Sequence, residues 1–265
     1  VPSKEGAIIS SDAITSIWQI ETDDGKNLGN FDWLVLTDRN TARPNNPDLR
    51  HANLNPFPKW VNEKVSSDPI CTTMITLDKP LSLPDLMIFD NRIASNLMED
   101  KLGMLWRITR DTSKPGRRSG NKEHWVLHST TRGAKRLLGR RDLKGASLDK
   151  IRNTIKETMV KDFENAIPFL RFMTRNINED QKEKEMPKVA EAHGHRWGAG
   201  FPSHVQNGDK VNMFLEMDCY FDEEKQFLAC GDYFGQYHGS VEGAFLSGKD
   251  AADKLIQIVN NDPAH

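Results

Sequence analysis

The segment that most constrains this chain runs from Phe227 to Leu255: Phe-Leu-Ala-Cys-Gly-Asp-Tyr-Phe-Gly-Gln-Tyr-His-Gly-Ser-Val-Glu-Gly-Ala-Phe-Leu-Ser-Gly-Lys-Asp-Ala-Ala-Asp-Lys-Leu. It begins as a buried strand, turns at Gly231-Asp232, passes through a glycine-bearing loop and enters a helix. Val241, Ala244, Phe245, Gly248, Ala252, Leu255, Ile256 and Val259 recur at steps of three and four, the helical period. Ser240 suits the N-cap, and Gly243 lets a ligand or strand approach the first turn. A strand that runs through glycines into a helix N-terminus gathers free backbone N–H groups and the positive end of the helix dipole at one point. Asp232 falls at the strand's carboxyl end, where open α/β sheets bind ligands. The same pattern also describes an ordinary β-loop-α unit packed on a sheet. In that reading Asp232 caps turn N–H groups and Glu242 complements the helix dipole.

A second apolar run, Trp33-Leu-Val-Leu36, has the character of a parallel strand buried on both faces. It closes a β-rich stretch from Ala13 to Thr37 that turns near Asp23-Asp-Gly25. Arg39 to Pro58 has loop composition, and Lys59 to Ser66 suits a short helix. Strands are expected at Ile70–Leu77, Leu86–Phe89, Met104–Ile108, Trp125–His128, His193–Phe201 and within Val211–Tyr220. Ser147 caps a helix that reaches about Asn165, with Leu148, Ile151, Ile155, Met159 and Phe163 inward. Asn176 to Lys188 is charged and expected to be a loop. The fold class is α/β (α+β): a Rossmann-like sheet built from both chain ends and interrupted by a β-rich middle. The expected division is 1–45 and 223–265 in a nucleotide domain, with 46–222 as the substrate domain.

Composition excludes several functions. The net charge is −2, which gives no global attraction to nucleic acid or anionic membranes. No apolar run approaches the roughly 18 residues that span a bilayer. The basic stretches Lys114–Arg118 and Arg132–Lys144 lack interleaved aromatics, which favours a solvated face or a docking patch over a nucleic-acid site. Cys71, Cys219 and Cys230 form no CxxC pair, and two of them sit in apolar runs. Buried free thiols and a reducing compartment, such as cytoplasm or an organelle matrix or stroma, are expected. His193 and His195 without a third ligand do not make a metal site.

The Gly231-Asp232 turn followed by Val241-Glu-Gly-Ala244 resembles the C-terminal FAD-binding motif of the flavin amine oxidase superfamily, and most closely its renalase-like branch. Three further segments are similar to that family in the same order. They are Trp18-Gln-Ile-Glu-Thr-Asp-Asp-Gly25 with Phe31-Asp-Trp-Leu-Val-Leu-Thr37, Ser113-Lys-Pro-Gly-Arg117 with Glu123-His-Trp-Val-Leu-His128, and Ala192-His-Gly-His-Arg-Trp197. The resemblance implies a glutathione-reductase/amine-oxidase-like fold with FAD as cofactor. It assigns flavin contact to Gly231, Asp232, Val241, Glu242, Gly243 and Ala244, and to Ile14 and Thr37. Asp232 would meet the ribityl–phosphate portion, and the helix N-terminus would face the isoalloxazine. The family opens with a strand, a G-x-G-x-x-G loop and a helix. This sequence has no such loop after a strand. Gly198-Ala-Gly200 is followed by Phe-Pro and opens no helix. The expectation is that the N-terminal ββα unit of the family is missing here.

Strand alternation puts His195 and Trp197 on one face, with Arg196 on the other. The resemblance turns that shared face toward flavin and substrate, with Trp197 as an aromatic wall and His195 as hydrogen-bonding or proton-transfer group. The residues alone equally allow a core tryptophan beside a satisfied histidine. Arg117 is the candidate for an anionic substrate such as a nicotinamide dinucleotide. The chain departs from the family at Thr131-Arg-Gly133, where a Trp is common, and at Thr37-Asp-Arg39, where a small residue and Pro are common. Two functions follow. One is an FAD-dependent oxidoreductase that takes hydride from an amine or dihydronicotinamide-type substrate, with O₂ as acceptor. The other is a non-catalytic, flavoprotein-derived scaffold whose exposed sheet edges are covered by a partner chain.

Overall fold

The computed structural model describes residues 7–12, 17–22, 24–39, 54–89, 101–117, 120–174, 187–206, 209–211 and 217–261. Contacts divide the chain into two compact units, Val1–Ser67 with Phe201–His265, and Asp68–Gly200. Both edges fall inside strands, where no change in composition marks them.

The first unit carries β1 (Ala7–Asp12), β2 (Ile17–Thr22) and β3 (Asn27–Phe31), an antiparallel meander, and a second sheet of three strands. That second sheet orders β11 (Tyr220–Asp222), β12 (Phe227–Ala229) and β4 (Leu34–Leu36), with β12 parallel to β4. Alternation along β12 sends Phe227 and Ala229 to one face and Leu228 to the other. On the first face they meet Trp18, Tyr233, Phe234 and helix α1 (Phe57–Lys64). Phe57 is fully buried, its ring 4.6 Å from Tyr220 and 5.2 Å from Phe227. The meander is pinned by Trp18, whose indole N–H donates to the carbonyls of Lys225 (3.1 Å) and Gln226 (3.0 Å). The α1 helix starts two residues earlier than the sequence suggests. Pro58 lies in its first turn, where a missing N–H costs nothing.

Helix α4 (Val241–Asn261) covers the second face. The apolar stripe that reveals the helix does not face the sheet. Val241 is 89% exposed, Phe245 70%, Ile256 56% and Val259 41%. The buried side is Gly243, Ser247 and Ala251, with Leu255 half-buried, against Cys219, Leu228 and Cys230. Small residues let the helix lie close to the sheet, so the large apolar ones are turned away from it. Val35, opposite Leu228 in the register and thus on the same face, is 43% exposed.

A six-stranded sheet has the order β10 (Asp209–Val211), β9 (Val189–Gln206), β5 (Val65–Leu77), β8 (Glu123–Ser129), β7 (Leu105–Arg110) and β6 (Leu86–Ile88), of which β8, β7 and β6 lie wholly in the second unit. The described pairings β5–β8, β8–β7 and β7–β6 are antiparallel. Helix α3 (Leu148–Met173) lies on one face and buries Ile155, Met159, Phe163, Ala166, Ile167 and Leu170 against Ile75, Ile108, Trp125 and Leu127. Leu148, expected inward, is 62% exposed because it precedes the first turn that meets the sheet. The helix runs past the expected end near Asn165 and through Pro168. Burial of Ile167 and Leu170 outweighs the one backbone bond that proline removes. A helix that the sequence reading missed, α2 (Thr131–Leu138), occupies the basic stretch; Thr130 caps it by accepting from the Gly133 N–H at 2.8 Å. Lys135 pairs with Asp68 at 2.8 Å.

Glu123 is the buried carboxylate that ties this unit's strands together. Glu123 accepts from the Leu81 N–H (2.9 Å) and the Trp125 indole N–H (3.0 Å) and lies 3.4 Å from Arg110. Arg110 in turn sits 4.8 Å above the Trp125 ring.

Strand β9 lies so close to α3 that a Cβ on Gly194 would stand 2.2 Å from the Arg152 carbonyl oxygen, whereas one on Gly198 would meet nothing within 4 Å. Gly194→Ala is therefore expected to destabilise by about 1–3 kcal/mol. Gly198→Ala should stay within about 1 kcal/mol of the parent. Urea unfolding of both variants checks the contrast.

Candidate functional site

Parallel pairing of β4 and β12 brings two chain segments to one sheet end. The last ladder bond runs from the Cys230 N–H to the Leu36 carbonyl at 2.9 Å. Thr37 and Gly231 come next, side by side. Gly231 has φ +146, and a Cβ there would lie 2.9 Å from both the Thr37 carbonyl and the Tyr233 ring, so only glycine fits. Its N–H donates to the buried Ser247 hydroxyl at 3.0 Å, which ties the turn to α4.

Asp232 follows, half-buried. Burial raises its carboxyl above the usual carboxylate range, and the nearby Asp38 raises it further. The Asp232 carbonyl accepts from the Gly239 N–H at 2.6 Å, which closes the loop and delivers Ser240 to the helix start. Ser240 is the N-cap: its hydroxyl accepts from the Gly243 N–H (2.9 Å) and donates to the Tyr237 carbonyl (2.5 Å), and its own carbonyl accepts from the Ala244 N–H (3.1 Å). The space that a Cβ on Gly243 would fill is taken by the Tyr237 carbonyl, 2.1 Å away. The close approach foreseen at Gly243 is thus made by the chain's own backbone.

With two of the first-turn N–H groups accepted by Ser240, those of Val241 and Glu242 have no acceptor among the described residues. Two acidic side chains at the strand ends and two free donors at a helix N-terminus form one polar locus. It suits a polyhydroxylated chain that both donates and accepts, joined to an electron-rich group. Asp38 belongs to this locus and was passed over in the sequence, where Thr37-Asp-Arg39 stood only as a departure. The rule that picked out Asp232, a carboxylate at the carboxyl end of a parallel strand, applies equally to Asp38. Ser247 was missed because nothing local marks a helix serine as the acceptor for a distant turn.

The remaining candidates lie in the other unit or outside the description. On β9 the rings of His195 and Trp197 share a face at 4.4 Å between centroids, and Trp197 is 52% exposed. Arg196 faces the opposite side, where its charge partly counters the burial that pushes the Cys71 thiol up to about 11. Arg117 lies 3.5 Å from Asp111 and donates its N–H to the Lys114 carbonyl at 3.2 Å, so it serves the turn. Ile14 lies outside the described residues. Among the described residues no helix is long and apolar enough to cross a membrane.

No protein-family model matches the chain. Among solved structures, cyclohexylamine oxidase from Brevibacterium oxydans IH-35A matches with 10% sequence identity and a TM-score of 0.52, covering 96% of this chain and 48% of that one. A triple mutant of putrescine oxidase from a redesign of cofactor binding matches with 11% identity and a TM-score of 0.52, over 95% of this chain and 48% of that one. The chain shares its fold with these amine oxidases. It spans about half the length of the solved structures it matches.

The raised Asp232 carboxyl has a stability consequence. The folded state holds this proton more firmly than the unfolded chain, so stability is lost as pH rises from the ordinary carboxylate range through the folded value. Asp232→Asn removes that loss. It is expected to raise the urea midpoint of the ligand-free chain at about pH 8 and to lose that advantage near about pH 3, below the ordinary carboxylate range.

Proposed function

We propose that this chain forms the flavin-facing part of an FAD-dependent oxidoreductase. The observation that carries the reading is the Gly231-Asp232 turn, which leads from the end of a parallel strand pair into the N-terminus of α4. The residues present fit the ribityl and ring portions of FAD. A half-buried carboxyl that burial raises above the usual carboxylate range offers acceptors to the ribityl hydroxyls, and Asp38 stands beside it. The Val241 and Glu242 N–H groups, with the helix dipole behind them, would hold the electron-rich edge of the flavin ring. No residue here is assigned to the pyrophosphate, since the sequence has no G-x-G-x-x-G loop. Bound FAD supplies a two-electron acceptor for hydride leaving a substrate C–H bond, with O₂ as the terminal acceptor. His195 hydrogen-bonds substrate or takes its proton, and Trp197 forms an aromatic wall. Amines and dihydronicotinamide-type compounds are the substrate classes. The two matched oxidases carry amines in their names, which supports the first.

A second reading, a non-catalytic scaffold docked to a partner chain, is supported by one observation: the exposed stripe Val241, Phe245, Ile256 and Val259, with Val35 exposed on the same sheet face. A complementing segment seated there is compatible with either reading.

The test is a visible absorption spectrum of the natively purified protein with its intact mass. Flavin bands together with a mass above that of this chain are expected. Asp232→Ala should weaken FAD binding about tenfold, the worth of one lost hydrogen bond. A flavin-free spectrum from protein of this chain's mass favours the scaffold.

A further inference from the structure

The face of the large sheet opposite α3 holds an unexplained polar row. In the register of β5, β8 and β7, Thr72 stands opposite His128 and His128 opposite Arg107, so the three side chains share one face. Their sequence neighbours Cys71, Leu127 and Ile108 point into the core on the α3 side. Thr72 is 7% exposed, and among the described residues its hydroxyl has no hydrogen-bond partner. The Nδ1 of His128 is likewise buried and unpartnered. Two adjacent buried polar atoms without partners are uncommon in a folded chain, because each forfeits its bonds to water.

The charges that act on His128 are positive: Arg107, and Lys114, whose ammonium is itself held by Asp111 at 2.7 Å. Arg107 donates from Nε to Thr109 at 3.2 Å, and its remaining guanidinium N–H groups are paired with no carboxylate among the described residues. Burial, then Arg107, then Lys114, hold the His128 imidazole below its ordinary range, which leaves it neutral and able to donate from one ring nitrogen. A hydroxyl, an imidazole N–H and a guanidinium on one sheet face offer three donors to an acceptor-rich group. Exposed apolar side chains flank them: Met74 at 49%, two residues along β5, and Ile88 at 56%, opposite Arg107 on β6.

We propose that Thr72, His128 and Arg107 bind the anionic group, carboxylate or phosphate, of a small molecule whose apolar part rests on Met74 and Ile88. Calling that molecule the substrate rests on the oxidoreductase reading. The binding itself does not, since it needs no flavin.

The test follows the His128 ring resonances by NMR in the full chain, assigned by their loss in His128→Gln, during titration with inorganic phosphate, with acetate and with propylammonium. Saturable shifts with phosphate or acetate and none with propylammonium are expected, the tighter of the two anions naming the source. Thr72→Val, which keeps the shape, and Arg107→Gln should each weaken that binding by about tenfold. Absence of any saturable shift, equal affinity in both variants, or a matching response to propylammonium overturns the proposal. Because the readout is binding without flavin, its failure leaves the spectrum of the purified protein to decide the oxidoreductase reading separately.

Discussion

Everything at the candidate site depends on the parallel pairing of two three-residue strands, Leu34–Leu36 and Phe227–Ala229. A parallel pair cannot be closed by a tight turn; it needs a long crossover. Here the crossover is most of the chain, including the whole unit from Asp68 to Gly200. So short a pair is weak alone. It holds because Phe227 and Leu228 are fully buried on opposite faces, under an aromatic cluster on one side and α4 on the other. Loss of the pair would separate Thr37 and Asp38 from Gly231 and Asp232 and dissolve the site.

The second constraint is the closeness of α4 to its sheet. Gly243, Ser247 and Ala251 make that approach possible, and the Ser247 hydroxyl uses it to hold the Gly231 N–H at 3.0 Å. The same contact aims the helix N-terminus past the Asp232 turn. The geometry that prepares the polar locus therefore leaves Val241, Phe245, Ile256 and Val259 uncovered. Solvation of those side chains is the cost of placing the helix by its small residues.

Much of the secondary structure was legible because it depends on local pattern. The strands at Ile70–Leu77, Leu86–Phe89 and Trp125–His128 and the helix capped by Ser147 all carry their period in adjacent residues. The errors have physical reasons. Ser66, Ser67, Asp68 and Pro69 hid the start of β5, since polar residues and proline argue against a strand unless a partner strand supplies the bonds. The α2 helix was hidden by Gly133, which lowers helix propensity. It is there because a Cβ would come within 2.5 Å of the Met104 side chain. At the site, Gly231 and Asp232 stood out through their place between strand and helix. Asp38, Ser247 and the Thr72–His128–Arg107 row did not, because each acquires its meaning from residues distant in the chain.

The sequence by itself determined the period and order of the elements, the strand–Gly-Asp–helix passage and the N-cap at Ser240, since these follow from backbone preferences over a few residues. Only the tertiary structure decided which face of α4 is buried, what occupies the space beside Gly243, which carboxylates meet, and which polar atoms are left unpaired. Those are outcomes of packing, in which close approach and desolvation are settled by partners far away along the chain. Local periodicity shows that a helix has two faces; the neighbour that arrives chooses between them.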